Sequence, residues 1–173
     1  MTGRSIIVWC LATLVVLTGI ASARIPRELS EILNPDEQQL LDRMQHDLHL
    51  SGIEIWPVKD FRPRAISFTN AETGIYIIEF DVEWFRSLPA QGRKGLLGHE
   101  LGHAHQPDDV MKPVIADLAA DRFAAIYSGP ESVIAFLNVL AQDDWFDKND
   151  IRTRIKYMEH VRTHQRPLQK RQN

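Results

Sequence analysis

The sequence predicts an α+β domain in which helices surround a small antiparallel or mixed sheet. Three observations carry that expectation. Short segments between Ile53 and Ile78 have strand composition and are separated by turn residues. Helical periodicity flanks this block on both sides. No strand–helix–strand alternation repeats, which argues against an extended parallel sheet. The 173 residues suffice for one domain with a real core, and 44% hydrophobic with 25% charged residues is the balance of a soluble globular protein. The net charge of −3 argues against a nucleic-acid partner, which usually calls for a basic face.

Residues 1–23 are expected to be a secretory signal peptide. Arg4 is a short positive region, Ile6 to Ile20 is almost wholly apolar, and Ala21-Ser22-Ala23 is a small-residue cleavage signal. The alternative is an uncleaved anchor, for which the run is barely long enough. Cleavage after Ala23 leaves a mature domain of residues 24–173, secreted or periplasmic, with no membrane span. The single cysteine, Cys10, lies in the apolar run, so the mature domain has no disulfide and no thiolate ligand.

Arg24 to Leu33 is a leader. Asn34-Pro35-Asp36-Glu37 opens the first helix, with Asn34 as N-cap, Pro35 at the first helical position and Glu37 closing a capping box. Leu40, Leu41, Met44 and Leu48 form its apolar stripe, and Gly52 is the expected stop. His46 and His49 lack metal-type companions in phase and read as solvated residues. Ile53 to Trp56, Ala65 to Thr69 and Gly74 to Ile78 are the strands, the last two flanking the turn Asn70 to Thr73. They suggest a hairpin plus one further strand. Glu83 to Leu88 is a short helix or turn.

Pro89 begins a glycine-containing helix that runs to about His105 and halts at Pro107. After the loop Gln106 to Lys112, Pro113 opens a helix to Tyr127, closed by Gly129 and Pro130. Glu131 to Gln142 is the next helix, Asp143 to Asp150 an acidic link, and Ile151 to Val161 the last helix. Arg162 to Asn173 is polar and basic and is expected to fray.

The chemistry is concentrated in His99-Glu100-Leu101-Gly102-His103, the H-E-x-x-H pattern of zinc metallopeptidases. Residues four apart on a helix share a face, so two imidazoles can hold one metal ion. Glu100 lies about 100° round the helix and suits a different task, taking a proton from water at the metal. Leu97, Leu101 and Ala104 form the opposite, core-facing side. Gly95, Gly98 and Gly102 form a further stripe. Each glycine costs a helix about 1 kcal/mol relative to alanine, so three suggest a close approach by another element. His105 is about 200° from His103 and is expected to miss the metal. His160 and His164 share the four-residue spacing, yet no glutamate follows His160, and they read as non-ligands.

A catalytic zinc site keeps three protein ligands and leaves one position for water. Asp117 and Asp121 share a face of the following helix, where Ala116, Ala120 and Ala124 keep that side small. One of the two suits the metal. The other suits the free ring nitrogen of a ligand histidine, whose tautomer it would fix.

His99-Glu100-Leu101-Gly102-His103 followed by Asp117-Leu118-Ala119-Ala120-Asp121-Arg122 resembles the HtpX-like and CAAX-prenyl-protease group of gluzincin zinc metallopeptidases. That group pairs H-E-x-x-H with E-x-x-A-D on a following helix. The resemblance spans about Lys94 to Ala125, and Arg154-Ile155 weakly echoes a late Arg-Ile of the group. It implies a helical zincin-type domain with the sheet packed beside the metal-bearing helix. It further implies metal ligands His99, His103 and Asp117, one Zn2+ per chain, Glu100 as catalytic base and Asp121 behind a histidine. Asp117 stands where the group has glutamate, one methylene longer. The implied activity is zinc-dependent endopeptidase hydrolysis of a peptide or unfolded-protein substrate. Tyr127, Arg122 and Tyr76 are candidates for stabilising the oxyanion. The resemblance also implies an edge strand near Ile75 to Ile77 that binds extended peptide by strand addition. The competing expectation is a catalytically degenerate, non-enzymatic peptide- or protein-binding domain of the same fold.

Overall fold

The computed structural model describes residues 32–62, 64–104 and 113–169. The expected signal peptide and its cleavage site, most of the leader, His105 and the loop through Lys112 lie outside the described residues. Within them the chain is α+β, with six helices and a three-stranded mixed sheet. The order is α1 (Pro35–Asp47), β1 (Ile53–Val58), β2 (Ala65–Thr69), β3 (Tyr76–Asp81), α2 (Val82–Ser87), α3 (Ala90–Ala104), α4 (Pro113–Ser128), α5 (Pro130–Leu140) and α6 (Lys148–Gln169). No described helix is long and apolar enough to cross a membrane.

The capping box of α1 is present. Glu37 N–H donates to Asn34 Oδ1 at 3.0 Å, and Asn34 N–H donates to Glu37 Oε2 at 2.9 Å. The buried Glu37 carboxylate also accepts from Arg93 Nε at 2.7 Å, which ties the start of α1 to the start of α3. The helix ends earlier than Gly52. His49 adopts φ +54°, its N–H reaches His46 O, and Leu50 N–H reaches Gln45 O. This is a Schellman closure with histidine in the left-handed position that glycine usually takes.

The strand order is β1–β3–β2, with β1 parallel and β2 antiparallel to β3. β2 and β3 form the expected hairpin, and β1 is the further strand. The expected edge at Ile75 to Ile77 is overturned. β3 is the central strand, shifted to Tyr76–Asp81, and every one of its residues is buried. A strand flanked on both edges and covered on both faces reads as a continuous apolar run, and Ile75-Tyr76-Ile77-Ile78 is one. Beside α3 the edge is β2 instead. Ile53, Ile55, Tyr76, Ile78 and Phe80 point into the main core with Leu96, Leu97 and Leu101 of α3.

The glycines of α3 meet the close approach that their spacing implied. A Cβ on Gly102 would lie 2.8 Å from both Cα and O of Ala120, and one on Gly98 would lie 3.0 Å from Cβ of Ala124. α4 therefore packs its alanines directly into this stripe. At Gly95 a Cβ would collide with the Ser132 carbonyl oxygen of α5. Helix propensity favours Gly95→Ala by about 1 kcal/mol. Overpacking against backbone that cannot swing away costs about 1–3 kcal/mol or more and outweighs it. Gly95→Ala is thus expected to lower the thermal unfolding midpoint by several degrees. An unchanged or raised midpoint in calorimetry would show that α3 and α5 separate without cost.

Two further boundaries differ from expectation. The acidic link is shorter because Asp147 accepts from the backbone N–H groups of Asn149 and Asp150 and starts α6 at Lys148. The polar segment after Val161 continues as helix to Gln169 rather than fraying from Arg162. Residues 170–173 lie outside the described residues.

Candidate metal centre

α3 presents His99 and His103 one turn apart, with their Nε2 atoms 3.2 Å from each other. α4, seated on the glycine stripe, brings Asp117 Oδ1 to 3.6 Å from His103 Nε2 and 3.9 Å from His99 Nε2. His99 is buried, and His103 and Asp117 are half-buried. Among the described residues these three form the group whose ligand atoms, all within 4.8 Å of one another, can hold a metal ion. The donor set fits zinc. With Zn–N bonds of about 2.0–2.1 Å, two nitrogens of a tetrahedral site stand about 3.3 Å apart. Three protein donors also leave a fourth position open.

Asp121 takes the other place foreseen on α4. His99 Nδ1–H donates to Asp121 Oδ1 at 2.8 Å, which leaves the Nε2 lone pair directed towards His103 and Asp117. Burial works against charge on His99, but the Asp121 hydrogen bond and charge lift its pKa above the ordinary value. Burial would likewise raise the Asp121 carboxyl, yet its bonds to His99 and Arg154 bring it below the usual range. Among the described residues no carboxylate hydrogen-bonds to His103 as Asp121 does to His99. Burial, with His99 and the Arg154 cation adding to it, pushes His103 down to about 3, so the ring is neutral and its nitrogen is ready to bind.

Arg154 ties α6 to this centre, a role its sequence barely signals. Arg154 Nε and Nη2 donate to the two oxygens of Asp121 at 2.7 and 2.9 Å, and Nη1 donates to Asp117 Oδ2 at 3.1 Å. One guanidinium thus spaces both carboxylates, a planar fork matched to paired oxygens. Asp117 keeps Oδ1, the oxygen nearest the histidines, on its other side.

Glu100 is buried beside the histidines, and burial raises its carboxyl above the ordinary range against the pull of His99 and Ser67. Ser67 Oγ of β2 donates to Glu100 Oε2 at 2.8 Å. Tyr76 donates its hydroxyl hydrogen to the Glu100 carbonyl at 2.8 Å. Sequence reasoning missed Ser67 entirely. A serine in a strand carries no signal of its own, and only the seating of β2 beside α3 gives it a partner.

Of the oxyanion candidates, Tyr127 faces α1, donating to Asp47 Oδ2 at 3.1 Å, and Arg122 is exposed. Tyr76 lies against the main chain of Glu100. His164 donates from Nδ1 to the His160 carbonyl at 2.8 Å, and neither histidine belongs to the metal-binding group. No protein-family model, no curated protein and no solved structure matches this chain.

Proposed function

We propose that the chain is a zinc-dependent metalloendopeptidase, exported by its N-terminal segment, that hydrolyses peptide bonds in extended or unfolded protein. The observation that carries this reading is the convergence of His99 Nε2, His103 Nε2 and Asp117 Oδ1 with the buried carboxylate of Glu100 alongside. His99, His103 and Asp117 would hold the ion, and Asp121 with Arg154 would hold two of those ligands in place. When bound, zinc supplies the Lewis acidity that polarises a scissile carbonyl and acidifies the attacking water towards a pKa of about 7.

Glu100 takes that water's proton. Its Oε2 is occupied by Ser67, so Oε1 receives the proton and passes it to the leaving amine. Burial raises the proton affinity of this carboxyl above that of an ordinary glutamate, which suits a group that must take a proton from water. β2 supports the substrate reading. It is the edge strand beside α3, so an extended peptide adding to it would run past Glu100. The shorter Asp117 fits an active centre better than a decayed one, because α4 lies so close to Gly98 and Gly102 that aspartate already reaches the histidines.

Elemental analysis of the purified domain, reconstituted in chelator-free buffer, is expected to find close to one zinc per chain. Chelation is expected to stop cleavage of a denatured-protein substrate, and added zinc to restore it. Absence of zinc after reconstitution would overturn the proposal.

A further inference from the structure

We propose that Ser67 is a positioning residue for Glu100, holding the base in the one rotamer from which it can work. This inference rests on Glu100 being the base. Ser67 lies in the middle of β2, and its side chain faces α3 while its neighbours Ile66 and Phe68 are exposed on the opposite face of the strand. Its Oγ is 2.8 Å from Glu100 Oε2 and 3.1 Å from the Glu100 carbonyl oxygen. The Tyr76 hydroxyl is 2.8 Å from that same carbonyl and 3.0 Å from Ser67 Oγ.

Each hydroxyl has a single hydrogen, which limits how this cluster can be satisfied. The carbonyl is best served by Tyr76, the shorter of its two contacts. The Ser67 hydrogen then goes to the carboxylate, where a hydrogen bond to a charged acceptor is the stronger choice. Tyr76 so directs Ser67, and Ser67 directs Glu100. The consequence is an unequal carboxylate, with Oε2 held by the sheet and Oε1 left for chemistry. A glutamate on a helix otherwise has three side-chain torsions to restrain, and catalytic proton transfer depends on correct placement of the accepting oxygen. The restraint comes from the strand on which an extended substrate would add, so the position of β2 and that of the base are linked through one hydroxyl.

The test uses the zinc-loaded domain and a denatured-protein substrate, with crystal structures of the same variants in metal-free form. Ser67→Ala is expected to lower kcat about 10- to 100-fold, with KM and zinc content unchanged. Ser67→Thr keeps the hydroxyl, suits a strand and is expected to recover most of kcat. In a Glu100→Asp background, where the carboxylate is too short to reach both Ser67 and the water, Ser67→Ala is expected to cost little more. In the metal-free Ser67→Ala crystal the Glu100 side chain is expected to occupy more than one rotamer. A Ser67→Ala protein with wild-type kcat, or with Glu100 ordered in its present place, would overturn the inference while leaving the peptidase reading intact. Loss of zinc in step with kcat would also overturn it, by showing a structural role. A zinc-loaded wild type that hydrolyses nothing would defeat the peptidase reading itself.

Discussion

Glu100→Gln is expected to abolish hydrolysis while zinc stays bound. Glutamine has nearly the shape of glutamate, so the space between β2 and α3 is filled as before. Its amide oxygen can still accept from Ser67 Oγ, which now lies 2.8 Å from Glu100 Oε2. It cannot take a proton from water at any useful pH. General-base assistance contributes roughly 10²- to 10⁴-fold, so kcat should fall by about 10³-fold or more. His99, His103 and Asp117 are untouched by the change, and zinc content should remain near one per chain. Parallel measurement of bound zinc and turnover of denatured protein checks both halves. A variant that cleaves at the wild-type rate would place the base elsewhere.

Asp117 and Asp121 stand one turn apart on α4, and their removal is expected to have different consequences. Asp117 Oδ1 is the oxygen nearest the two histidine Nε2 atoms. Asp117→Ala leaves two donors where three are needed, and most of the metal should be lost. Asp121 touches no open metal position. It accepts from His99 Nδ1 and from Arg154, so Asp121→Asn keeps a hydrogen-bond acceptor but loses the charge that both partners face. Zinc should bind about 10- to 100-fold more weakly, with the histidines still in place. Asp117→Glu is the sharper comparison. α4 is pressed onto α3 at Gly98 and Gly102, and Arg154 already holds Asp117 Oδ2 at 3.1 Å, so an extra methylene should crowd the centre and lower activity. Zinc titration of the three variants, followed by assay, decides the matter. Retention of metal by Asp117→Ala together with its loss from Asp121→Asn would reverse the two roles. A rise in zinc affinity in Asp117→Glu would mark the present centre as degenerate.

The sequence by itself determined what depends on neighbours within one helix or one turn. The α1 capping box, the short α2 and the closing of α4 at Gly129 follow from local backbone chemistry, and the structure shows each. The same holds for His99 and His103, since four residues of helix set their separation whatever surrounds them. The glycine and alanine stripes implied a close approach between α3 and α4 because small residues in register have little other use. The stop of α1 at His49 was hidden, because histidine seldom adopts the left-handed conformation and Gly52 was the conventional signal.

Only the tertiary structure decided matters set by contacts between distant segments. Ile75 to Ile78 is equally apolar as an edge or a centre, so pairing with β1 on one side and β2 on the other had to be seen. Two aspartates on one face of a helix are equivalent until another element distinguishes them. Arg154, 33 residues beyond Asp121, does so by gripping both Asp121 oxygens and only one of Asp117. Ser67 acquires its partner 33 residues away only because β2 lies against α3. In each case a short-range pattern offered several satisfied arrangements. Burial, by charging a high cost for an unpaired polar group, selected one.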